Sequence, residues 1–194
     1  DVSANVHGHL GIAHTRWATH GAPTQDNAHP HRSGDIAVVH NGIIENHEQL
    51  RRELIADGYE FLSDTDTEVV VHMLHQECTK NDISTLTAVQ RIVARLHGAY
   101  GLCVIRVSEP DRLGVARSGS PLVIGVGIGE NFVASDPLAL GQVTDRFIYL
   151  EEGDVAEVTR SKIRIFSGDT PVERNTTRIQ SEIDEIEKGE YGHF

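Results

Sequence analysis

The chain has 194 residues, of which 39% are hydrophobic and 24% are charged, a composition that suits one folded domain with a substantial core. The formal net charge of -12 argues against direct binding to nucleic acid or to anionic membranes, because a surface of that sign repels phosphate groups. No apolar run approaches the length of a membrane span and no signal-peptide pattern opens the sequence, so we expect a cytoplasmic protein.

The cysteines and histidines of the chain bear on its redox compartment and on metal binding. Only Cys78 and Cys103 are present, which excludes a disulfide framework and a cysteine zinc site and fits a reducing compartment. A metal protein is suggested as an alternative by the 12 histidines, whose best pairs are His29 with His31 and His72 with His75. Neither pair has the nearby third ligand that a zinc site needs, so we predict no metal and no cofactor.

The first part of the chain is predicted to contain two short strands separated by a loop. Residues 10–15 are interpreted as a strand, and prolines with Asn and Asp break regular structure over residues 20–33. Residues 36–40 are apolar and rich in β-branched side chains, which predicts a buried strand, and Asn41-Gly42 directly after them predicts a tight turn.

Three helices are predicted next. Asn46 is a possible cap for a helix over residues 46–57, with Gly58 as its stop. Thr65 and Glu68 have the spacing of a capping box in front of a helix over residues 68–78. A third helix over residues 84–96 carries its apolar side chains on one stripe.

The remainder of the chain has the pattern of strands separated by short, glycine-containing turns. Gly153-Asp154 is a plausible hairpin corner, and an acidic amphipathic helix over residues 179–187 precedes a loose tail. Helices grouped before strands, with short connections, indicate a single α+β domain over residues 1–194 with antiparallel sheets. The predicted strands are residues 101–107, 113–116, 122–126, 131–135, 147–150, 155–159 and 162–166.

Two polar patches suggest a site for a free amino acid. Arg16 lies beside the only tryptophan, Trp17, and near Thr19 and His20, and its planar guanidinium suits a small carboxylate. The alternative is a surface loop with one packed tryptophan. Asp66, which the capping pattern does not need, has a carboxylate that suits an ammonium group, and its alternative role is to favour the helix dipole.

A third patch, Asn41-Gly42, suggests an oxyanion hole. An asparagine amide and an adjacent glycine N–H can converge on developing negative charge, and one such donor contributes about 3 to 4 kcal/mol to lowering the barrier. The alternative is an ordinary Asn-Gly turn, which is frequent in any sequence.

Six segments, in order along nearly the whole chain, resemble the glutaminase domain of the glucosamine-6-phosphate synthase family, whose members are class II glutamine amidotransferases. They are GIAHTRWATHG from residue 11, NAHPH from 27, VVHNGIIENH from 38, SDTDTEV from 63, RSGSPLVIG from 117 and EEGDVAE from 151. The resemblance implies an N-terminal-nucleophile hydrolase fold, a four-layer αββα sandwich in which two antiparallel sheets pack face to face between helical layers.

The same resemblance implies roles for individual residues. Arg16 would bind the glutamine α-carboxylate and Asp66 the α-ammonium, with Thr19 and His20 lining the pocket on a mobile loop. Trp17 would gate the passage of ammonia. Asn41 and Gly42 would form the oxyanion hole. The implied partners are L-glutamine and L-glutamate, the sugar isomerase domain of the parent synthase, and a second copy of the full-length enzyme in a homodimer.

The sequence departs from this family at its start. The family nucleophile is an N-terminal cysteine whose own α-amine is the general base, whereas residue 1 here is Asp1. Cys78, Cys103 and Ser3 cannot replace it, because none carries a free α-amine. We therefore expect a glutaminase domain without its N-terminal strands, inactive alone, with a gap beside Asn41 or exposed apolar surface. The alternative is a natural glutamine-binding or regulatory module that has no nucleophile.

Overall fold

A computed structural model describes residues 8–15, 22 and 24–179 of the chain. Its helices are α1 (His47–Ala56), α2 (Asp66–Asn81) and α3 (Thr85–Val93). Its strands are β1 (His31–Ser33), β2 (Ile36–Ile44), β3 (Gly98–Arg106), β4 (Arg112–Ser118), β5 (Val123–Val126), β6 (Asn131–Ala134), β7 (Arg146–Tyr149), β8 (Asp154–Thr159), β9 (Ile163–Ser167), β10 (Thr170–Val172) and β11 (Thr176–Arg178). No helix within these ranges is both long and apolar enough to cross a membrane.

The strands form two antiparallel sheets that share one core. The larger sheet has the order β1-β2-β3-β4-β8-β9-β10 and the smaller one the order β11-β7-β5-β6. The three helices cover one face of the larger sheet, with Val38, Val70 and Val89 in the shared apolar cluster. The other face packs against the smaller sheet through side chains such as Val115 and Ile124. The predicted α+β class with stacked antiparallel sheets is confirmed.

The described residues supply one helical layer and both sheet layers. The three predicted helices are present, and α2 extends beyond its predicted end at residue 78 to Asn81. The predicted C-terminal helix lies outside the described residues, apart from Ile179 at its start. Strands β10 and β11 were not predicted, because each has only three residues, too few for a visible alternation.

Two predictions for the first 35 residues are wrong. Residues 10–15 are not a strand, although Leu10 and Ile12 pack against the core between the sheets. The alternation of half-buried and exposed residues in this segment reflects burial of one side only. Its backbone joins no sheet of the described chain. The predicted loop over residues 20–33 ends in β1, which pairs with β2 through a turn at Gly34, where φ is 56°.

The tight turn predicted at Asn41-Gly42 is also wrong. Strand β2 continues through both residues to Ile44, and Asn41 and Gly42 pair with Gly101 and Tyr100 of β3. Pairing with β3 and the complete burial of Ile44 hold the chain extended, so long-range contacts override the local turn signal. Gly153-Asp154 is likewise not a hairpin corner, because β7 and β8 belong to different sheets.

The start of α2 differs from the predicted capping box. Thr65 caps the helix by accepting a bond from the Glu68 N–H at 3.4 Å. The Glu68 carboxylate does not return to Thr65 but accepts from the N–H groups of Leu62 and Ser63 at 2.8 and 2.7 Å. Burial opposes ionisation of Glu68, yet these hydrogen bonds outweigh it and lower its pKa from 4.5. Glu68 therefore holds the segment before α2.

We predict that Glu68→Gln destabilises the fold by about 1.5 to 3 kcal/mol at pH 7, because a charged acceptor of several hydrogen bonds is lost. The lowered pKa of Glu68 makes its contribution present above pH 4.5 and lost as the pH falls through the folded-state pKa. Urea unfolding from pH 7 to pH 3 should show the variant approaching the wild type. Exposed Glu48 in α1 provides the control Glu48→Gln, which should change little.

An equal loss of stability at both ends of that pH range would contradict this role for the Glu68 carboxylate.

Candidate functional site

Polar groups collect along the edge of β2 that β1 leaves uncovered. Strand β1 pairs with β2 only from Ile36 to Val38. Beyond it, the His40 N–H donates to Nδ1 of His29 at 3.4 Å, and the Ile44 N–H donates to Oδ2 of Asp66 at 2.8 Å. Gly42 lies midway between these two residues on β2.

Asp66 is held at this edge by two elements. It is the first residue of α2 and is 3% exposed, so its carboxylate lies at the positive end of the helix dipole. Its Oδ2 also lies 4.0 Å from Nδ1 of His40. The carboxylate is thus buried, fixed by the backbone of β2, and adjacent to an ionisable ring.

A group of histidines surrounds the same helix start. Oγ1 of Thr67 lies 3.0 Å from Nδ1 of His40 and 3.2 Å from Nε2 of His29. Nε2 of His31 lies 2.9 Å from Oγ1 of Thr65. From the sequence, His29 and His31 were considered only as a candidate metal pair. In the described part of the chain, no three His, Cys, Asp or Glu side chains are placed to hold a metal ion.

Asn41 faces the other side of β2, toward a cavity of about 600 Å³ between the two sheets. Nε2 of His14 lies 2.5 Å from Oδ1 of Asn41. Cavities of this size are typical of small-molecule sites. Apolar residues line most of the wall, including Leu10, Ile12, Val39, Leu113, Leu122 and Phe132.

The predicted site residues divide into two groups. The structure brings together three predicted positions, which are Asn41, Gly42 and Asp66. Asn41 and Gly42 lie on β2, and Ile44 of the same strand donates its N–H to Asp66. Arg16, Trp17, Thr19 and His20 lie outside the described residues. Thr15, the residue before Arg16, lines the cavity that contains Asn41.

Residues 118–120, which lie in a segment that carries the family resemblance but were assigned no role in the site, also reach it. A Cβ atom on Gly42 would lie 2.9 Å from Oγ of Ser120, so this hydroxyl closely approaches the Gly42 backbone. Glu152 holds the loop by accepting bonds from the Gly119 N–H at 2.9 Å and from the Ser118 hydroxyl at 2.7 Å. The bond from Gly119 lowers the pKa of Glu152. The Ser-Gly-Ser spacing was the available signal.

Neither cysteine has the properties of a nucleophile. Cys103 lies on the cavity wall near Asn41, and burial raises its pKa to about 12. Cys78 is 2% exposed within the helical core, and burial raises its pKa as well. Both thiols are therefore protonated near neutral pH, whereas nucleophilic cysteines are thiolates.

We predict that Gly42→Ala destabilises the protein by well over about 1 kcal/mol, because an L side chain is strained at a φ of 121°. The new Cβ would also lie 2.1 Å from the carbonyl oxygen of Ala99, so β2 and β3 would have to separate. Thermal unfolding measures the effect. Gly141→Ala, at a φ of -60° with its nearest neighbour 3.6 Å away, is the matched control. Equal melting temperatures for the two variants would contradict the strained geometry.

We predict that Cys103 resists alkylation in the folded chain. A pKa of about 12 leaves roughly one thiolate in ten thousand at pH 8, so modification by iodoacetamide should be far slower than that of a free thiol. Mass spectrometry of peptides would follow Cys78 and Cys103 separately. In concentrated urea both should react at the rate of a model peptide, and a folded-state rate close to that value would refute the assignment.

Solved structures of amidotransferases have the same fold. Glutamine phosphoribosylpyrophosphate amidotransferase from B. subtilis superposes with a TM-score of 0.65 at 25% sequence identity, over 79% of this chain and 33% of that one. A structure described as the allosteric regulatory enzyme of purine biosynthesis gives 0.66 at 25% identity, over 79% and 34%. The stacked sheets with their polar strand edge thus define an amidotransferase of the N-terminal-nucleophile class.

A family model for the glutamine amidotransferase domain matches residues 14–142. The chain belongs to this family of glutamine amidotransferase domains. It is 61% identical over 189 residues to a glutamine–fructose-6-phosphate aminotransferase (isomerizing) from Pseudomonas syringae pv. tomato, covering 96% of this chain and 31% of that protein. It is 53% identical over 193 residues to the protein of the same name from Acinetobacter baylyi, covering 100% and 31%. The chain spans about a third of the length of these relatives.

Proposed function

We propose that this chain is the glutamine-hydrolysing domain of a glutamine–fructose-6-phosphate aminotransferase and releases ammonia for glucosamine-6-phosphate synthesis. The observation that carries the proposal is the edge of β2, where Asn41 and Gly42 precede the N–H that fixes the Asp66 carboxylate. The relatives at 53% to 61% identity carry that enzyme name. Their similarity supports the choice of this reaction among those of the family.

Amide hydrolysis passes through a tetrahedral intermediate that carries negative charge on the former carbonyl oxygen. Two fixed N–H donors, Nδ2 of Asn41 and the backbone N–H of Gly42, would bind this oxygen. Both belong to a strand paired on its other side with β3, so they need little reorganisation during the reaction. The apolar cavity wall would strengthen their interaction with the developing charge.

Asp66 would bind the α-ammonium group of glutamine, and Arg16 its α-carboxylate. The buried Asp66 carboxylate, fixed by β2 and by the helix dipole, supports this role. The family resemblance supports the remaining assignments, in which Thr19 and His20 line the pocket and Trp17 gates the passage of ammonia. L-Glutamate is the other product of hydrolysis.

The resemblance assigns the nucleophile to an N-terminal cysteine of the mature protein. The raised pKa values of Cys78 and Cys103 support the view that neither attacks the amide. In the full-length protein, the ammonia would pass to a sugar isomerase domain, and we propose a cytoplasmic homodimer of that protein.

The test is Asp66→Asn in the full-length protein that contains this chain. An asparagine oxygen can still accept from the Ile44 N–H, so the fold should be retained while the negative charge is lost. We expect the KM for glutamine to rise about 10- to 100-fold with a smaller change in kcat, because a charge-assisted contact to the ammonium is removed. Steady-state measurement of glutamate release gives both constants.

Asp64→Asn is the matched control, since Asp64 lies two residues earlier, is exposed, and should leave both constants unchanged. An unchanged KM in Asp66→Asn would reject the ammonium-binding role and leave Asp66 as a helix-capping charge. Binding of glutamine without any turnover by the wild-type full-length protein would favour the alternative, a glutamine-binding regulatory module.

A further inference from the structure

We propose that His14 is a positioning residue that orients the Asn41 amide for catalysis, an inference that rests on the proposed glutaminase function. Nε2 of His14 lies 2.5 Å from Oδ1 of Asn41, the shortest approach to this amide in the described chain. Oδ1 accepts only, so with this end of the amide toward His14 the histidine is the tautomer that carries its proton on Nε2 and donates the bond. The bond therefore selects one of the two orientations of the amide.

The orientation of this amide matters for the chemistry. The two ends of an asparagine amide have nearly the same shape but opposite polarity. An oxyanion hole needs the NH₂ end toward the substrate, because Oδ1 in its place would repel the developing negative charge. With Oδ1 bonded to His14, the Nδ2 group is turned away from the histidine and is available as the donor to substrate.

His14 is itself held from the opposite side. Its ring packs against the ring of His29, with centroids 4.4 Å apart and an interplanar angle of 37°. His29 in turn accepts from the His40 N–H and bonds Oγ1 of Thr67 in α2. The His14 ring is thus fixed relative to both β2 and α2, which a positioning residue requires.

The bond to Asn41 also anchors the described segment that carries His14. Half-buried Ile12 packs against the core between the sheets, and no described strand pairs with this segment. The bond to Asn41 therefore attaches this segment to the face of β2 that lines the cavity.

The experiment compares His14→Leu and His14→Gln in the full-length protein. Leucine removes the donor, and we expect kcat for glutamine hydrolysis to fall about 10- to 100-fold while KM changes less than about threefold. Glutamine retains an N–H donor of similar reach, so His14→Gln should recover kcat to within about fivefold of the wild type. His97→Leu, at an exposed histidine, is the control and should match the wild type.

A double-mutant cycle tests the mechanism itself. If His14 acts through Asn41, then His14→Leu combined with Asn41→Ala should be no slower than Asn41→Ala alone. The proposal would be overturned if the double variant lost kcat by the product of the two single losses. It would also be overturned if His14→Leu matched the control or changed KM alone. If His14→Leu does not fold, shown by the loss of a cooperative thermal unfolding transition, the decision falls to His14→Gln, whose failure to recover kcat would reject the role.

The same data separate the two proposals. A wild-type full-length protein without glutamine hydrolysis would overturn both the proposed function and the role of His14. A wild-type protein that hydrolyses glutamine, together with a fully active His14→Leu variant, would reject the role of His14 alone.

Discussion

The hydrogen bond from the Ile44 N–H to the Asp66 carboxylate joins the buried helix α2 to the edge of strand β2. Both ends of this bond are anchored, since Ile44 is fully buried and the helix behind Asp66 is buried over its first nine residues. A carboxylate held in this way cannot turn into solvent. The position of the proposed ammonium site therefore follows from the packing of α2 on the larger sheet.

Strand β2 carries different groups on its two faces and on its edge. Val38 and Ile44 pack against the helices, while Val39 and Asn41 line the cavity between the sheets. The same strand thus carries Asn41 on its cavity face and holds the Asp66 carboxylate at its edge through the Ile44 N–H, an arrangement that a tight turn at Asn41-Gly42 could not provide.

Local signals in the sequence predicted most of the fold. The apolar stripe of α3 and the threonine cap of α2 depend on residues within one or two turns, and the structure contains both. The turn at Asn41-Gly42 was wrong because β3, about 60 residues later, decides the conformation there. Residue type and family resemblance predicted a site at Asn41, Gly42 and Asp66 without knowledge of their geometry.

The contacts that support the site could not be predicted in the same way. His14 and Asn41 are 27 residues apart, as are His40 and Thr67, and 33 residues separate Gly119 from Glu152. Such bonds leave no period in the sequence, because each depends on how two distant elements pack. From the sequence, His29 was considered only as part of an incomplete metal pair with His31, whereas in the structure His29 and His40 form polar links between β2 and α2. A buried polar group is costly unless it is bonded, so these links, together with the apolar core, fix how the elements pack.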